Sequence, residues 1–289
     1  MTRLLRSLSA LLLAAGLVGA ASAQSDVEDF PLSLTIGMVP SVESQALVES
    51  LEPLAEYLEN ELLIPVDTFV STNYVGLVEA IGNQRIDVGL FGPASMVQAM
   101  DRYDAKPIVA TVRYGASTYK SQFNVKCDGE FQSFESLDGA RMAFVDPGST
   151  SGYQFPYVHL LENYGIDPDE DMTTIFAGGH DASVLAVYNG DVDVAASFDD
   201  ARTNVEEDFP DVMDEVCVLG YTDPIPNDGA VVRSGLSDEV ANILRQALVD
   251  LGNTEEGVAI IDELVSGNAF ATITSAAYDP VRAVQNTFE

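Results

Sequence analysis

The chain has 289 residues and a formal net charge of −33 at pH 7, because 46 acidic residues face 13 basic ones. A surface this negative repels other polyanions, which excludes nucleic acids and anionic lipids as partners. A chain of this length can bury a large core or form two lobes.

The N-terminus carries the pattern of a secretory signal peptide. Two arginines precede an apolar run over residues 8–18, and Ala-Ser-Ala at 21–23 fits a cleavage site before Gln24. The run is too short to span a bilayer comfortably, and an uncleaved anchor is the alternative. We predict that residues 1–23 are removed and that the mature protein is periplasmic or secreted. Its net charge then falls to −35, since two arginines and no acid are lost.

Strand and helix signals alternate along the first part of the mature chain. Leucines at helical spacing between residues 45 and 62 indicate an amphipathic helix, because they would share one face. Strands are predicted at 32–39, 66–70, 86–91 and 107–113, and helices at 45–62, 74–81 and 94–103. This order favours a mostly parallel sheet covered by helices.

The alternation continues in a second block and then returns. Strands are predicted at 121–126, 141–145, 173–177, 192–198, 216–220 and 229–232, and helices at 152–164, 182–188, 239–251 and 254–264. We predict one lobe from residues 24–113 and 225–289, and a second lobe from residues 114–224. The chain would cross between them near Arg113 and near Pro224. In such α/β chains, ligands bind outside the carboxyl ends of the strands.

Cys127 and Cys217 are the only cysteines of the sequence. In an exported protein two cysteines usually pair, so a disulfide is expected, and two separate buried thiols are the alternative. No Cys or His lies at metal-ligand spacing from either one, so we expect no metal site and no cofactor.

Three hydroxyl residues follow the strand predicted at 141–145. Ser149, Thr150 and Ser151 lie at a strand-to-helix turn, where side-chain donors and free backbone N–H groups meet the positive end of the helix dipole. The alternative is that these residues only cap the helix. Capping needs just one hydroxyl, however, and three are present. We therefore predict an oxyanion site that works without any Lys or Arg.

Several segments, in order along nearly the whole mature chain, resemble the solute-binding proteins of ABC transporters for phosphonate, phosphite and phosphate. The segments that carry the resemblance are Asn73-Tyr74 with Glu79-Ala80, residues 87–95 (DVGLFGPAS), Tyr119, residues 146–153 (DPGSTSGY), Gly179-His180-Asp181 with residues 187–193 (VYNGDVD), and residues 225–228 (IPND). The resemblance implies a type II periplasmic-binding fold, in which two α/β lobes joined by two crossover segments close on a phosphorus oxyanion. It also implies a membrane ABC permease as partner, and we expect a monomer.

The resemblance also implies a set of ligand-binding residues. The candidates are Ser149, Thr150, Ser151, His180, Asp228, Tyr74 and Tyr119, with Ser95 at the Gly-Pro turn and Asp199, near which relatives that bind amino-phosphonates carry an acid. The sequence does not rank phosphite, phosphate, methylphosphonate and 2-aminoethylphosphonate. The acids at 199 and 200 favour an amine-bearing ligand, whereas the two tyrosines favour a small one.

Each of the other candidates has a chemical use and a structural alternative. His180 would donate to an oxyanion oxygen and make binding pH-dependent, or bond to backbone as a buried residue. Asp228 would accept a hydrogen bond from a P–OH group and so reject sulfate, or cap a turn. Tyr74 and Tyr119 would wall a small substituent and donate from their hydroxyls, or be ordinary interfacial aromatics.

Two other functional classes compete with solute binding. Ser149 with His180 and Asp181 has the composition of a hydrolase triad. The sequence lacks a Gly-x-Ser-x-Gly elbow, however, and Asp181 adjoins His180 too closely to orient it, so we expect no enzyme. A sensory protein that binds the same ligands and reports to a membrane receptor stays open as the alternative.

Overall fold

The computed structural model describes residues 30–288. The predicted signal peptide, residues 1–23, lies outside the described residues. Between residues 30 and 288, no helix combines the length and the apolar character needed to cross a membrane.

Strands and helices alternate over the described range. The strands are β1 (Leu34–Met38), β2 (Val66–Val70), β3 (Val88–Phe91), β4 (Lys106–Val112), β5 (Thr118–Tyr119), β6 (Ser121–Lys126), β7 (Arg141–Phe144), β8 (Thr173–Phe176), β9 (Val194–Phe198), β10 (Val216–Tyr221), β11 (Ile225–Pro226), β12 (Gly229–Val232) and β13 (Ala269–Thr272). The α-helices are α1 (Ser44–Leu62), α2 (Tyr74–Gly82), α3 (Pro93–Tyr103), α4 (Phe155–Tyr164), α5 (Pro168–Asp171), α6 (His180–Tyr188), α7 (Val212–Glu215), α8 (Asp238–Leu251), α9 (Glu255–Val265) and α10 (Asp279–Gln285).

The first lobe is built on a six-stranded sheet with the order β13-β4-β12-β3-β1-β2. β1 pairs in parallel with β2 and β3, whereas β12 runs antiparallel to β3 and β4. Strands β1 to β4 therefore run in one direction, as a mostly parallel sheet requires, whereas β12 and β13 run in the opposite direction. The physical reason is that β12 re-enters from the second lobe at the edge where β1 and β3 end, so it must run in the opposite direction.

The second lobe is built on a five-stranded sheet with the order β10-β6-β9-β7-β8. β7 is parallel to β8 and β9, and β6 is antiparallel to β9 and β10. Between the two sheets, β5 and β11 pair as a short antiparallel ladder. The two passages of the chain between the sheets therefore lie side by side.

Helices cover both faces of each sheet and bury its apolar side chains. On one face of the first sheet, α1, α8 and α9 contribute Leu54, Leu244 and Ile261, each at most 1% exposed. On the other face, α2 and α3 pack with Tyr278 in a separate core. Each fully buried Leu or Ile contributes about 1.5–3 kcal/mol. These rigid layers hold the strand ends that face the second lobe.

A disulfide joins Cys127, just after β6, to Cys217 in β10. The predicted pairing is thus confirmed. The two cysteines are 90 positions apart in the sequence. The disulfide lies where the paired strands β6 and β10 end, at the edge of the second sheet.

Candidate oxyanion-binding site

A cavity of about 580 Å³ lies between the two lobes, at the ends of β1, β3 and β4. This volume falls within the ordinary range for small-molecule sites, about 300–1,000 Å³. The predicted site residues that line it are Tyr74, Tyr119, Ser149, Thr150, Ser151, His180 and Asp228. Side chains separated by up to 154 positions in the sequence therefore meet at one wall.

The Ser-Thr-Ser turn forms the second-lobe part of this wall. A single π-helical turn, Thr150–Gln154, leads into α4, and Ser149 is its N-cap residue. The Ser149 hydroxyl accepts a hydrogen bond from the backbone N–H of Gly152 at 3.1 Å. As at any helix start, the first N–H groups have no acceptor inside the helix and carry partial positive charge. The wall is therefore a donor surface before any side-chain charge is counted.

Thr150 also contacts the first lobe directly. Its Oγ1 atom accepts a hydrogen bond from the backbone N–H of Ala94, at the start of α3, at 2.8 Å. Beside it, the Ser95 hydroxyl donates to the carbonyl of Gly148 at 3.1 Å. Ser95 is fully buried and is not among the residues that line the cavity. The structure thus places Ser95 at a contact between the lobes and Thr150 at both the contact and the cavity wall.

His180 begins α6, and hydrogen bonds fix both its backbone and its ring. Its backbone N–H donates to the carbonyl of Ser41 in the first lobe at 2.8 Å, and its ring Nδ1 accepts from the N–H of Phe198 at 3.2 Å. Burial, with the positive Arg113 as a second cause, lowers the pKa of His180 to about 3. We assign the ring proton to Nε2 from this hydrogen bond. His180 is therefore a neutral donor, and its charge does not change at physiological pH.

Arg113 is a wall residue that the sequence analysis did not select. Its guanidinium donates to the carboxylate of Asp228 at 2.6 Å and lies 5.0 Å from the ring centroid of Tyr119. The expectation of a site without any Lys or Arg is therefore wrong. One signal could have found it, because Arg113 ends the strand predicted at 107–113, where the chain leaves the first lobe.

Asp228 presents two different oxygens to its surroundings. Oδ2 accepts a hydrogen bond from Arg113. Oδ1 lies near Gly92 and Thr150. A Cβ atom built on Gly92 would be 3.8 Å from Oδ1 and 3.7 Å from Thr150 Oγ1. Burial raises the pKa of Asp228, and Arg113 opposes that rise. Oδ1 is thus the oxygen that faces the space beside Gly92, where it can accept a hydrogen bond.

The two tyrosines close the wall on the first-lobe side and at the crossing. Tyr74 starts α2 and Tyr119 lies in β5, and both are at most 6% exposed. Burial raises the pKa of each phenol well above 10. Both hydroxyls therefore stay protonated and act as donors.

Asp199 does not take the ligand-side position considered for it, and Asp181, although it lines the cavity, is bonded to the first lobe. Asp199 accepts a hydrogen bond from the N–H of Lys120 at 3.1 Å and is not among the lining residues. Asp181 accepts from the N–H of Glu43 at 3.1 Å. Because Nδ1 of His180 is bonded to Phe198 instead, the triad of Ser149, His180 and Asp181 is not assembled. Among residues 30–288, no group of three His, Cys, Asp or Glu side chains could hold a metal ion.

Two α/β lobes joined by paired crossings, with a helix start and converging donors in the cleft, define the class of two-lobed solute-binding proteins. A protein-family model described as "ABC transporter, phosphonate, periplasmic substrate-binding protein" matches residues 36–278. The chain belongs to this family of periplasmic substrate-binding proteins of phosphonate ABC transporters.

Individual relatives agree with this membership. The "Phosphate-import protein PhnD" of Mycolicibacterium smegmatis is 31% identical, over 94% of this chain and 91% of that protein. The "Phosphonates-binding periplasmic protein" of Escherichia coli is 26% identical, over 82% of this chain and 71% of that protein. In fold, the chain is similar to PhnD1 of Prochlorococcus marinus in complex with methylphosphonate, with a TM-score of 0.81 at 20% identity, over 90% of this chain and 99% of that one.

Family membership confirms several expectations from the sequence. The type II periplasmic-binding fold, a place outside the cytoplasm and a membrane ABC permease as partner all follow from it. The comparisons give no support to the sensory alternative.

Proposed function

We propose that this protein captures a phosphorus oxyanion in the cleft and delivers it to the ABC permease. The observation that carries the proposal is the convergence of the Ser149–Ser151 helix start, His180 and two protonated tyrosines on one cavity wall. The relatives named for phosphate and for phosphonates support the ligand class.

The wall suits a tetrahedral anion that still carries a proton. Hydroxyls, helix N–H groups and the Nε2–H of His180 would donate to three ligand oxygens, each bond near the usual 2.7–3.1 Å. Oδ1 of Asp228 would accept from the P–OH group, while Arg113 holds Oδ2. Sulfate carries no proton at neutral pH, so one of its negative oxygens would face the Asp228 carboxylate without a hydrogen bond between them.

Ligand release requires the lobes to part. The proposed moving units are residues 24–113 with 225–289, and residues 114–224, joined by the crossings at β5 and β11. Opening would break the bonds from Ala94 to Thr150 and from His180 to Ser41. Such hinge closure around a ligand is a known mode of two-lobed proteins.

The same proposal has four finer parts. The leader is cleaved after Ala23, the mature protein is a monomer that binds no nucleic acid, and the site performs no catalysis. The bonds that direct Asp181 to Glu43 and His180 to Phe198 support the last point. N-terminal sequencing of secreted protein, light scattering, a nucleic-acid gel shift and a phosphoester turnover assay test them in turn.

Calorimetric titration with phosphite, phosphate, methylphosphonate, 2-aminoethylphosphonate and sulfate tests the function. We expect at least one phosphorus ligand to bind and sulfate not to bind. Asp228→Asn should weaken binding of the phosphorus ligand and allow sulfate to bind. Asp199→Asn, which lies outside the cavity wall, should leave the affinity for the phosphorus ligand unchanged. The double change Ser149→Ala with Thr150→Ala should abolish binding in a protein that circular dichroism shows to be folded. Binding of sulfate as tightly as phosphate by the unaltered protein would contradict the role of Asp228.

A further inference from the structure

The cavity is larger than the oxyanion wall needs. A phosphate ion displaces the volume of a few water molecules, each about 30 Å³ in the liquid, whereas the cavity holds about 580 Å³. The remaining space runs from the wall along the first sheet, beneath the start of α1 and the end of α9. A bare oxyanion at the wall would leave this space unfilled.

This second part of the cavity has an apolar lining, and we name it the apolar branch. Its residues are Met38, Leu47, Leu90, Leu264, Val265 and Phe270. All six belong to or pack against one core cluster of the first lobe, and none carries a charge. An ammonium group buried among these six residues would lose its water without gaining a charged partner, which is costly. The acids of the same lining, Glu43, Asp208 and Glu263, are exposed at the outer part of the cavity. The branch therefore suits carbon rather than an amine.

Thr111 supplies one polar atom in this region. It lies two residues before Arg113 on the same strand face, and it is the register partner of Phe270. Thr111 lines the cavity and is 1% exposed, yet its Oγ1 has no hydrogen-bond partner among residues 30–288. Buried hydroxyls are almost always paired. An alkyl or aryl group cannot pair with this hydroxyl, so its partner in the liganded protein would be an oxygen of the oxyanion head or a bound water.

We infer that the physiological ligand is an organic phosphonate with an apolar alkyl or aryl substituent larger than methyl. Its oxyanion head occupies the wall of Ser149–Ser151 and His180, and its carbon part fills the apolar branch. This inference rests on the proposed function, because it presupposes an oxyanion at that wall. It replaces the amine-bearing ligand that the acids at 199 and 200 suggested, since Asp199 does not line the cavity.

Titration of the unaltered protein with methylphosphonate, n-butylphosphonate and phenylphosphonate tests the inference. Each methylene buried in an apolar site tightens binding roughly fourfold, so we expect n-butylphosphonate to bind at least about tenfold tighter than methylphosphonate. The heat-capacity change should be more negative for the larger ligands, because apolar surface is buried. Equal or weaker binding of both larger ligands would overturn the inference.

A pair of variants in one helix localises the effect. Leu47→Phe fills the apolar branch, whereas Leu62→Phe makes the same change at the other end of α1, away from the cavity. We expect Leu47→Phe to abolish the preference for n-butylphosphonate, so that the ratio of its affinity to that of methylphosphonate falls to about one. Leu62→Phe should behave like the unaltered protein. If Leu47→Phe weakened both ligands equally, the substituent would not lie in the branch.

The same titrations separate failure of the inference from failure of the proposed function. Binding of methylphosphonate without any gain from a longer chain overturns the apolar-substituent inference and leaves the proposed function standing. If none of the phosphonates, phosphate or phosphite binds, both are overturned.

Discussion

His180 shows how burial, together with one nearby positive charge, decides the chemistry of a side chain. The ring is 4% exposed, packs 4.8 Å from the ring of Phe198 and receives its hydrogen bond at Nδ1 from a backbone N–H. These surroundings offer nothing to stabilise an imidazolium, and Arg113 disfavours it further. A neutral Nε2–H is an effective donor to an anion, but it does not serve as a pH switch. The predicted pH dependence of binding through His180 is therefore not expected above about pH 5.

The lowered pKa of His180 predicts a pH dependence of stability instead. Because the pKa falls from 6.5 to about 3 on folding, the unfolded chain binds a proton below pH 6.5 that the folded chain does not. The stabilisation is complete above pH 6.5 and is lost as the pH falls toward 3. Between pH 7 and pH 5, the unaltered protein should lose about 2 kcal/mol more than His180→Gln does.

Urea unfolding of both proteins at several pH values measures this difference. His180→Gln is a suitable reference, because its side-chain oxygen can still accept from the N–H of Phe198. Carboxylates such as Asp228, whose pKa burial raises, titrate in both proteins and cancel in the comparison. Parallel pH curves for the two proteins would contradict the assignment.

Arg113 and Asp228 form a partly buried ion pair. Each charge offsets the desolvation free energy of the other. Their side chains are 15% and 25% exposed. Removing one partner leaves a poorly solvated charge, whereas removing both is much less costly. We expect Arg113→Met to lower the free energy of unfolding by about 2 kcal/mol, and the double variant with Asp228→Asn to recover part of that loss.

A matched ion pair outside the cavity provides the control for Arg113. Arg233 donates to Asp87 at 2.7 Å with side-chain exposures of 19% and 16%. Arg233→Met should cost a similar amount of stability and leave methylphosphonate affinity unchanged, whereas Arg113→Met should weaken both. Calorimetric titration beside urea unfolding distinguishes the two. Equal affinities for the two variants would show that Arg113 has only a structural role.

At the scale of elements, the helix start after β7 links the ligand to the other lobe. The Thr150 hydroxyl accepts from the N–H of Ala94 at 2.8 Å and so caps α3 across the cleft. A hydroxyl can accept one hydrogen bond while donating another. A ligand oxygen that receives the Thr150 proton would therefore be joined through one side chain to the start of α3, and binding would favour the closed arrangement.

Replacing Thr150 tests this link. Thr150→Val keeps the shape but removes both bonds, so we expect at least about a tenfold loss of methylphosphonate affinity and a less compact liganded protein. Thr150→Ser keeps the hydroxyl and should stay close to the unaltered protein. Calorimetry measures the affinity, and small-angle X-ray scattering measures the radius of gyration with ligand. A Val variant that binds and closes normally would contradict the link.

Element bounds show which parts of the fold could be predicted from the sequence. Helices 45–62, 94–103 and 239–251 were predicted within one residue of α1, α3 and α8, because their apolar periodicity and end residues are strong local signals. β13 and α10 were missed because segments of four and seven residues are too short to show a clear apolar pattern. The direction of β12 was missed for another reason, because it depends on the path through the second lobe rather than on any local signal.

The site divides in the same way. The Ser-Thr-Ser turn and His180 are visible in the sequence because each follows a strand and opens a helix. Arg113 and Asp228 are 115 residues apart, and their pairing exists only once both crossings lie side by side. The apolar branch had no sequence signal at all, because its residues look like any other core side chains until the cavity beside them is seen.

For the whole molecule, the acidic exterior and the donor-rich cleft act in opposite directions on an anionic ligand. The formal charge is −33 for the full sequence, and Glu43, Asp208 and Glu263 line the outer part of the cavity. Once inside, the ligand meets short-range donors and Arg113, which salt screens little. On the way in, it meets long-range repulsion, which salt screens strongly.

Salt should therefore accelerate ligand capture, the reverse of ordinary electrostatic steering. Raising the ionic strength from about 0.01 M to about 1 M shortens the Debye length from about 30 Å to about 3 Å. We expect the association rate constant for methylphosphonate to rise several-fold over this range, as followed by stopped-flow tyrosine fluorescence in a chain without Trp. Replacing the three acids of the outer cavity by Gln, Asn and Gln should raise the rate at low salt and flatten its salt dependence. A rate constant that falls with salt would mean that the field of Arg113, and not the acidic surface, governs the approach of the ligand.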